Sequence, residues 1–386
     1  MTGSPVISVV LEAHEPFFCK TLSACSACFT NSANPACGTE SSLEEQRFFE
    51  SLSETYLPLL EMLERLDRDR VPFRLGIAVS PILCHHLGDQ ELLGRYLRYI
   101  DQQIEFGRTE IWRHRNHEEL KKLAQYYYDK AIERRFTFSE RYEGNILRAL
   151  EVFRHKGKVE LLASGATNAF LPFFVSYPEA IQAQIEVALS SYHRCFGKFP
   201  QGFFLSELGW TGELARPLRA YNLGYTIVEA HGLVYGTPPA EKGSFYPVRT
   251  PHGVFVLGRE YYSREDLRKL SQGAPYRDNR KDPGYELPAA QVAPFLGPGG
   301  ARRPTGYKYY AQGAGAETLR AGRYAPGFGI LDTPDTPDAS GYAPGDVYDP
   351  AAAALRAAGS AQIFLRQRMS RLEAAAALMD ETPLCL

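Results

Sequence analysis

Glu207 is the residue whose neighbours best suit it to chemistry. It follows a short apolar run, Gln201 to Leu205, and precedes Leu208-Gly209-Trp210. The run predicts a strand, which puts the carboxylate at a strand's C-terminal end beside an indole. That pairing suits attack on an anomeric carbon, with the aromatic face supporting a sugar and the carboxylate acting as nucleophile. By itself the signal is weak, because a strand-end glutamate is more often a surface or capping residue. The reading requires Glu207 to point into a sugar-sized hollow at a barrel mouth.

Other polar residues fall at similar places. Ile7 to Leu11 reads as a buried strand ending at Glu12-Ala13-His14, and Phe73 to Val79 as a strand closed by Ser80-Pro81. Val159 to Ala163 ends at Ser164-Gly165-Ala166-Thr167-Asn168, and Tyr225 to Val228 ends at Glu229-Ala230-His231. Between these strands, helical spacing runs from Glu44 to Leu66, with Phe48, Leu52, Tyr56, Leu59, Leu60 and Leu63 on one face. It returns over Leu83 to Phe106, Glu110 to Arg154, Pro178 to Phe196 and Thr211 to Tyr221. Such alternation predicts parallel strands with helical crossovers. Folds of that kind carry their sites at the C-terminal ends of the strands.

Beyond about Arg259 the texture changes. Ser271 to Pro350 is dense in Gly and Pro, Pro350 to Met379 is helical, and Leu384-Cys385-Leu386 resembles the start of another strand. The expected organisation is a barrel unit over residues 1–265, an irregular excursion across the barrel mouth at 266–349 and a helical segment at 350–386. Disorder is expected around Ile330 to Asp346.

Composition narrows the partners. The chain has 386 residues, 44% apolar and 23% charged, with a net charge of −2. That is ordinary globular usage with no basic stripe, so neither nucleic acid nor a membrane is expected as a partner. The N-terminus shows no basic, apolar and small-residue succession of a signal peptide, so a cytoplasmic location is expected. Cys19, Cys25, Cys28 and Cys37 cluster. Their irregular spacing, with a single CxxC pair, favours a cysteine-bearing loop over a zinc site. No metal or cofactor is expected. His85-His86 and His114-x-x-His117 lie in helical, charged stretches, which argues against a metal-dependent deacetylase.

Seven segments, in order, resemble glycoside hydrolase family 57, and most closely its 1,4-α-glucan branching enzymes. Phe204-Leu205-Ser206-Glu207-Leu208-Gly209-Trp210 stands where the family has W-L-P-E-C-[AG]-Y, with Glu207 on the nucleophile. Glu12-Ala13-His14-Glu15-Pro16 stands at H-x-H-x-P, and LLASGATNAFLPFF at a strand ending in A-T-H, with Asn168 in place of the histidine. GVFVLGRE stands at a strand ending in Arg-Asp, giving Arg259 and Glu260. The stretches around Ser80, around His231-Gly232 and from Tyr348 to Met379 also match.

The resemblance implies a distorted (β/α)7 barrel acting on α-glucans such as glycogen, amylose or maltooligosaccharides. It implies a retaining, metal-independent double displacement with Glu207 as nucleophile. Glu12, His14, Asn168, Trp210, His231 and Arg259 would bind substrate. Departures cluster at the site: Glu12, Asn168 and Ser206 replace two histidines and a proline. The family's acid/base aspartate, on the closing strand, and its C-terminal helical domain lie beyond the equivalent of Leu386. Both are expected to be absent unless a second polypeptide carries them. General acid catalysis contributes roughly 10² to 10⁴ in rate. Two outcomes therefore compete: an active α-glucan transferase or hydrolase, with Glu12, Glu229, Glu260 or Asp380 as stand-in acid, and a non-catalytic glucan-binding remnant or partner protein.

Overall fold

The computed structural model describes residues 6–18, 42–312, 346–379 and 382–386. Nine strands are found among them: β1 (Val6–Ile7), β2 (Val10–Ala13), β3 (Leu75–Val79), β4 (Val159–Ser164), β5 (Gly202–Phe204), β6 (Tyr225–Glu229), β7 (Val248–Arg249), β8 (Phe255–Arg259) and β9 (Leu384–Cys385). Six of them run parallel in the order β2-β3-β4-β5-β6-β8, with β7 antiparallel on the far side of β8. This is the frame of an open, distorted (β/α) barrel.

Helices supply the crossovers. They are α1 (Leu43–Ser51), α2 (Leu57–Arg68), α3 (Pro81–Gly88), α4 (Gln90–Arg113), α5 (Glu118–Phe136), α6 (Ile146–His155), α7 (Pro178–Phe196), α8 (Ala215–Ala220) and α9 (Ala230–Val234). After β8 come α10 (Ser263–Leu270), α11 (Pro283–Glu286) and the long α12 (Pro350–Ala376). The helical face expected from Phe48 to Leu63 is buried except at the half-buried Leu59, and a π turn at Leu52–Tyr56 divides it into α1 and α2. The helix expected from Leu83 to Phe106 is two helices, because the Asp89 carboxylate caps a new one through the amides of Glu91 and Leu92. Thr211 to Tyr221 opens with a 3₁₀ turn before α8, where the sequence suggested one helix.

The first strand departs from expectation. Val6, Val9 and Leu11 are exposed, at 50%, 44% and 37%, so this is not a buried strand. Its own chain is interrupted: β1 pairs with β9, while β2 pairs with β3. The ladders do not close the barrel. The last residues bridge part of the gap instead of leaving it empty: Ser8 N donates to Cys385 O at 2.7 Å, and Glu260 N donates to Leu386 O at 2.9 Å. The lost closing edge expected from the sequence is therefore partly occupied by Leu384-Cys385-Leu386.

The described part of the Gly/Pro-rich excursion is anchored on helices. Tyr127 Oη donates to Lys308 O, Tyr309 Oη to Glu110 and Tyr307 Oη to Gln103 O, at 2.8–2.9 Å. Tyr127 of α5 is thus a packing residue, buried beneath the excursion. Asp282, fully buried, accepts from Gly284 N, Thr305 N, Thr305 Oγ1, Gly306 N and Lys308 Nζ, which explains how a carboxylate is tolerated there. The cysteine cluster at Cys19 to Cys37, the Ile330 to Asp346 stretch (except Asp346 itself) and Asp380 lie outside the described residues.

Glu50 borders this anchor and is poorly satisfied. Its Oε1 is buried without a partner. Burial, more than the surrounding charges of Lys308, Asp282, Glu54 and Arg277, pushes its carboxyl up to about 7 from 4.5. The folded state therefore keeps a proton that the unfolded chain releases. Stability from this group is full below about pH 4.5 and is lost as pH rises towards 7. The shift corresponds to about 3 kcal/mol. Glu50→Gln is expected to stabilise the protein at about pH 8 and to have little effect near pH 5. Urea unfolding at the two pH values measures this, and equal effects at both would contradict it.

Candidate active site at the strand ends

The mouth is built from residues at or just past the C-terminal ends of the parallel strands. Register keeps them level: Glu12 pairs with Ala78, Ser164 with Phe204 and Glu229 with Arg259. From β2 come Glu12 and His14, from β4 Asn168, from β5 Glu207, from β6 Glu229 and His231, and from β8 Arg259 and Glu260.

Glu207 sits in strained backbone. Its φ and ψ are 51° and 21°, and Leu208 follows with φ 53°. Gly209 N donates to Ser206 O at 3.1 Å, closing a four-residue turn whose two central residues both have positive φ. That is type I′ geometry, which usually takes Asn-Gly. A non-glycine residue held so costs about 1–3 kcal/mol, and such strain concentrates at functional sites. Asn168, at the end of β4, has φ 53° as well. Gly209 lets the turn pack tightly, since a Cβ there would lie 2.2 Å from the Phe170 ring.

Three of the sequence-predicted residues come together. Asn168 Nδ2 donates to Glu12 Oε1 at 3.5 Å, and the Glu207 charge acts on Glu12 across the mouth. The Glu12 carboxyl is held above its ordinary value. Desolvation by neighbouring protein atoms is the main cause, the Asn168 amide opposes it, and Glu207 adds to it. Asn168 Oδ1 is buried and has no partner.

The remaining residues are arranged differently. His14 Nδ1 meets Ser80 Oγ at 3.0 Å, and burial lowers its pKa. Ser80, which sequence reasoning did not single out as a site residue, also caps α3 through Leu83 N; the Ser-Pro pair after an apolar strand was its visible signal. Trp210 is half-buried against Val228, Leu233 and Val256, and His231 is exposed at the start of α9. Arg259 is ion-paired with Glu229. Glu260 is bound by Arg371 Nη1 at 2.7 Å, Ser263 Oγ at 2.8 Å and Arg368 Nε at 3.3 Å. Both carboxylates are thus engaged by cations, and neither is free to serve as a stand-in acid.

The hollow expected in front of Glu207 is not found: its side chain faces solvent and does not line the neighbouring cavity. Glu207 is exposed, and not covered by a helix. Beside it a cavity of about 540 Å³ is lined by Glu12, Phe204, Leu208, Ile227, Arg259 and Phe364, among others. That volume falls within the roughly 300–1,000 Å³ of small-molecule sites. A larger cavity of about 1060 Å³ opens among Leu75, Val159, Gln201 and Tyr225, at the N-terminal ends of the strands and away from these carboxylates. Among the described residues no group of three or more His, Cys, Asp or Glu could hold a metal ion, and no helix is long and apolar enough to cross a membrane.

Arg368 is fully buried and ties α12 to the end of β8. It donates to Ser263 Oγ at 3.0 Å and to Asp266 Oδ2 at 2.9 Å, and faces Glu260. Arg368→Ala leaves the buried Glu260 and the half-buried Asp266 with only Arg371 as a shared cation. A loss of about 3–5 kcal/mol in unfolding free energy is expected. The denaturant midpoint measures it, and a loss below about 1 kcal/mol would contradict the assigned role.

These features define a (β/α)-barrel protein with a carboxylate-bearing mouth. The sequence profile of glycosyl hydrolase family 57 matches residues 11–281. The chain belongs to glycosyl hydrolase family 57. It is similar to 1,4-alpha-glucan branching enzyme TK1436 of Thermococcus kodakarensis, 30% identical over 166 residues, 43% of this chain and 24% of that protein. Among solved structures, the novel alpha-amylase AmyC from Thermotoga maritima matches with TM-score 0.81 and 27% identity, over 99% of this chain and 66% of that one. The GH57-type branching enzyme from Pyrococcus horikoshii matches in fold with TM-score 0.71 and 21% identity, over 98% and 62%. The chain thus spans about a quarter of the curated relative and just under two thirds of these solved chains.

Proposed function

We propose that the chain acts on α-glucans as a retaining glucanotransferase of the 1,4-α-glucan branching type, with Glu207 as nucleophile. Glycogen, amylose and maltooligosaccharides are the substrates proposed. The observation that carries this reading is the Glu207 turn: a carboxylate on strained backbone at a barrel strand end, opposite a second carboxyl. Family membership and the likeness to a branching enzyme support it.

In this reading Glu207 attacks the anomeric carbon and forms a glycosyl-enzyme. Glu12 is the described carboxyl suited to protonate the leaving oxygen, since its environment favours the neutral form. Asn168 serves both protonation states. Its amide donates to ionised Glu12, and turned by half a revolution its oxygen accepts from the protonated acid. His14, Trp210, His231 and Arg259 are proposed to bind the glucan around this pair. Residues 1–265 would form the catalytic barrel unit, with 266–349 and 350–386 as its appendages.

A second reading, glucan binding without turnover, is favoured by the changes at Glu12, Asn168 and Ser206. Incubation with amylose, read by iodine colour and reducing ends beside a binding assay, separates the two. Branching lowers iodine colour with little gain in reducing ends, hydrolysis raises reducing ends, and retention on amylose with neither change overturns the catalytic reading.

A further inference from the structure

Three cysteines lie among the described residues, and two of them meet. Cys84 is buried on α3, and Cys195 is half-buried on the last turn of α7. Their thiols are near enough to act on each other, where α3 packs against α7. Both line the same surface cavity, of about 700 Å³, with His85, Arg148 and Arg194 at its border. Cys385, by contrast, is buried near the barrel's closing residues, away from this pair.

The two thiols differ in a way that orders their chemistry. The Cys84 thiol, with Arg194 assisting, stabilises a thiolate at Cys195 and lowers it to about 7. Cys84 is raised, by the neighbouring Cys195 and by burial. A half-exposed thiolate beside a buried resolving thiol is the arrangement in which thiol–disulfide exchange runs to an internal disulfide.

We propose that Cys84 and Cys195 form a dithiol site that low-molecular-weight disulfides oxidise to an intramolecular disulfide linking α3 to α7. The Cys195 thiolate attacks one sulfur of the small disulfide and expels one thiolate. The Cys84 thiol gives up its proton and attacks Cys195 Sγ, expelling the second. Two protein thiols become one disulfide, and one small disulfide becomes two thiols. The link bears on the proposed glucan site, because both helices support its strand ends. Ser80 at the start of α3 holds His14, and Gln184 of α7 holds Thr167 through its backbone amide and hydroxyl. The dithiol chemistry does not depend on the glucan reading.

The test uses the full reduced chain and oxidised glutathione near neutral pH, with alkylation and peptide mass spectrometry as readout. The expected product is a Cys84–Cys195 cross-linked peptide pair, lighter by two hydrogens. In Cys84→Ser, a glutathionyl group is expected to stay on Cys195. In Cys195→Ser, Cys84 is expected to remain a free thiol. Iodoacetamide labelling of Cys195 is expected to rise with a midpoint near pH 7 and to exceed that of Cys385 by at least about tenfold. The proposal is overturned if Cys84 and Cys195 both stay fully alkylatable after oxidation. It is equally overturned if Cys195 pairs instead with Cys19, Cys25, Cys28 or Cys37.

Discussion

Glu207→Gln is expected to remove turnover of amylose, by roughly 10⁶-fold, the scale on which deleting a covalent nucleophile acts. The substitution is nearly isosteric and keeps the positive-φ turn, so folding should be unaffected. The Glu207 backbone already occupies the left-handed region, and glutamine meets the same strain there. Glucan retention on an amylose column should survive, because His14, Trp210 and Arg259 are unchanged. Reducing-end and iodine assays measure the loss, with circular dichroism as the folding control. Equal activity in the two proteins would remove Glu207 from its proposed role.

Glu12→Gln is expected to cost about 10² to 10⁴ in rate on amylose, the range for a general acid. The loss should depend on the leaving group. An α-glucosyl fluoride releases fluoride without a proton, so the same variant should keep most of its rate on that substrate. A bare packing role for Glu12 would slow both substrates alike. The pH profile gives a second handle. Because Glu12 is held above its ordinary value, it stays protonated to a higher pH than a solvated glutamate. The basic limb of kcat/KM on amylose should therefore fall as pH rises through that raised value. In Asn168→Ala the amide that favours ionised Glu12 is gone, so the limb should move upward in pH. A downward shift would contradict the assigned hydrogen bond.

Much of the frame was legible because short apolar runs and strand-end polar residues obey local rules. Tyr225 to Val228 and Val159 to Ala163 announced themselves by β-branched and aliphatic content, and the polar residues next to each strand end are adjacent in the chain. Local rules could not supply the partners. Glu229 was a candidate acid until the structure paired it with Arg259, 30 residues away. Glu260 was another, and its cation Arg371 lies 111 residues further along. Side chains so far apart in sequence meet only once the strands are in register. The exposure of Val9 and Leu11 was hidden for a related reason. An apolar run predicts burial, but burial depends on what covers the strand, and here β2 is an edge strand paired only with β3, while the two-residue β9 pairs with β1.

Backbone strain was the other silent term. Nothing in Ser206-Glu207-Leu208-Gly209 marks a type I′ turn, since its central residues are neither Asn nor Gly. The turn is closed by Leu205 and Ser206 accepting the amides of Leu208 and Gly209, and the Phe170 ring lies against Gly209. A site that must present one carboxylate to solvent at a strand end breaks the local preference, and sequence rules fail there for that reason.

Glu207 as the partner in a glycosyl-enzyme bond is the central claim. Incubating the chain with 5-fluoro-α-D-glucosyl fluoride, then digesting it and weighing the peptides, tests this without needing a proton donor for the leaving group. One fluoroglucosyl group on the peptide carrying Glu207, absent in Glu207→Gln and retained in Glu12→Gln, is the predicted result. Fluoride release that persists in Glu207→Gln, or a label found on another carboxylate, would contradict it.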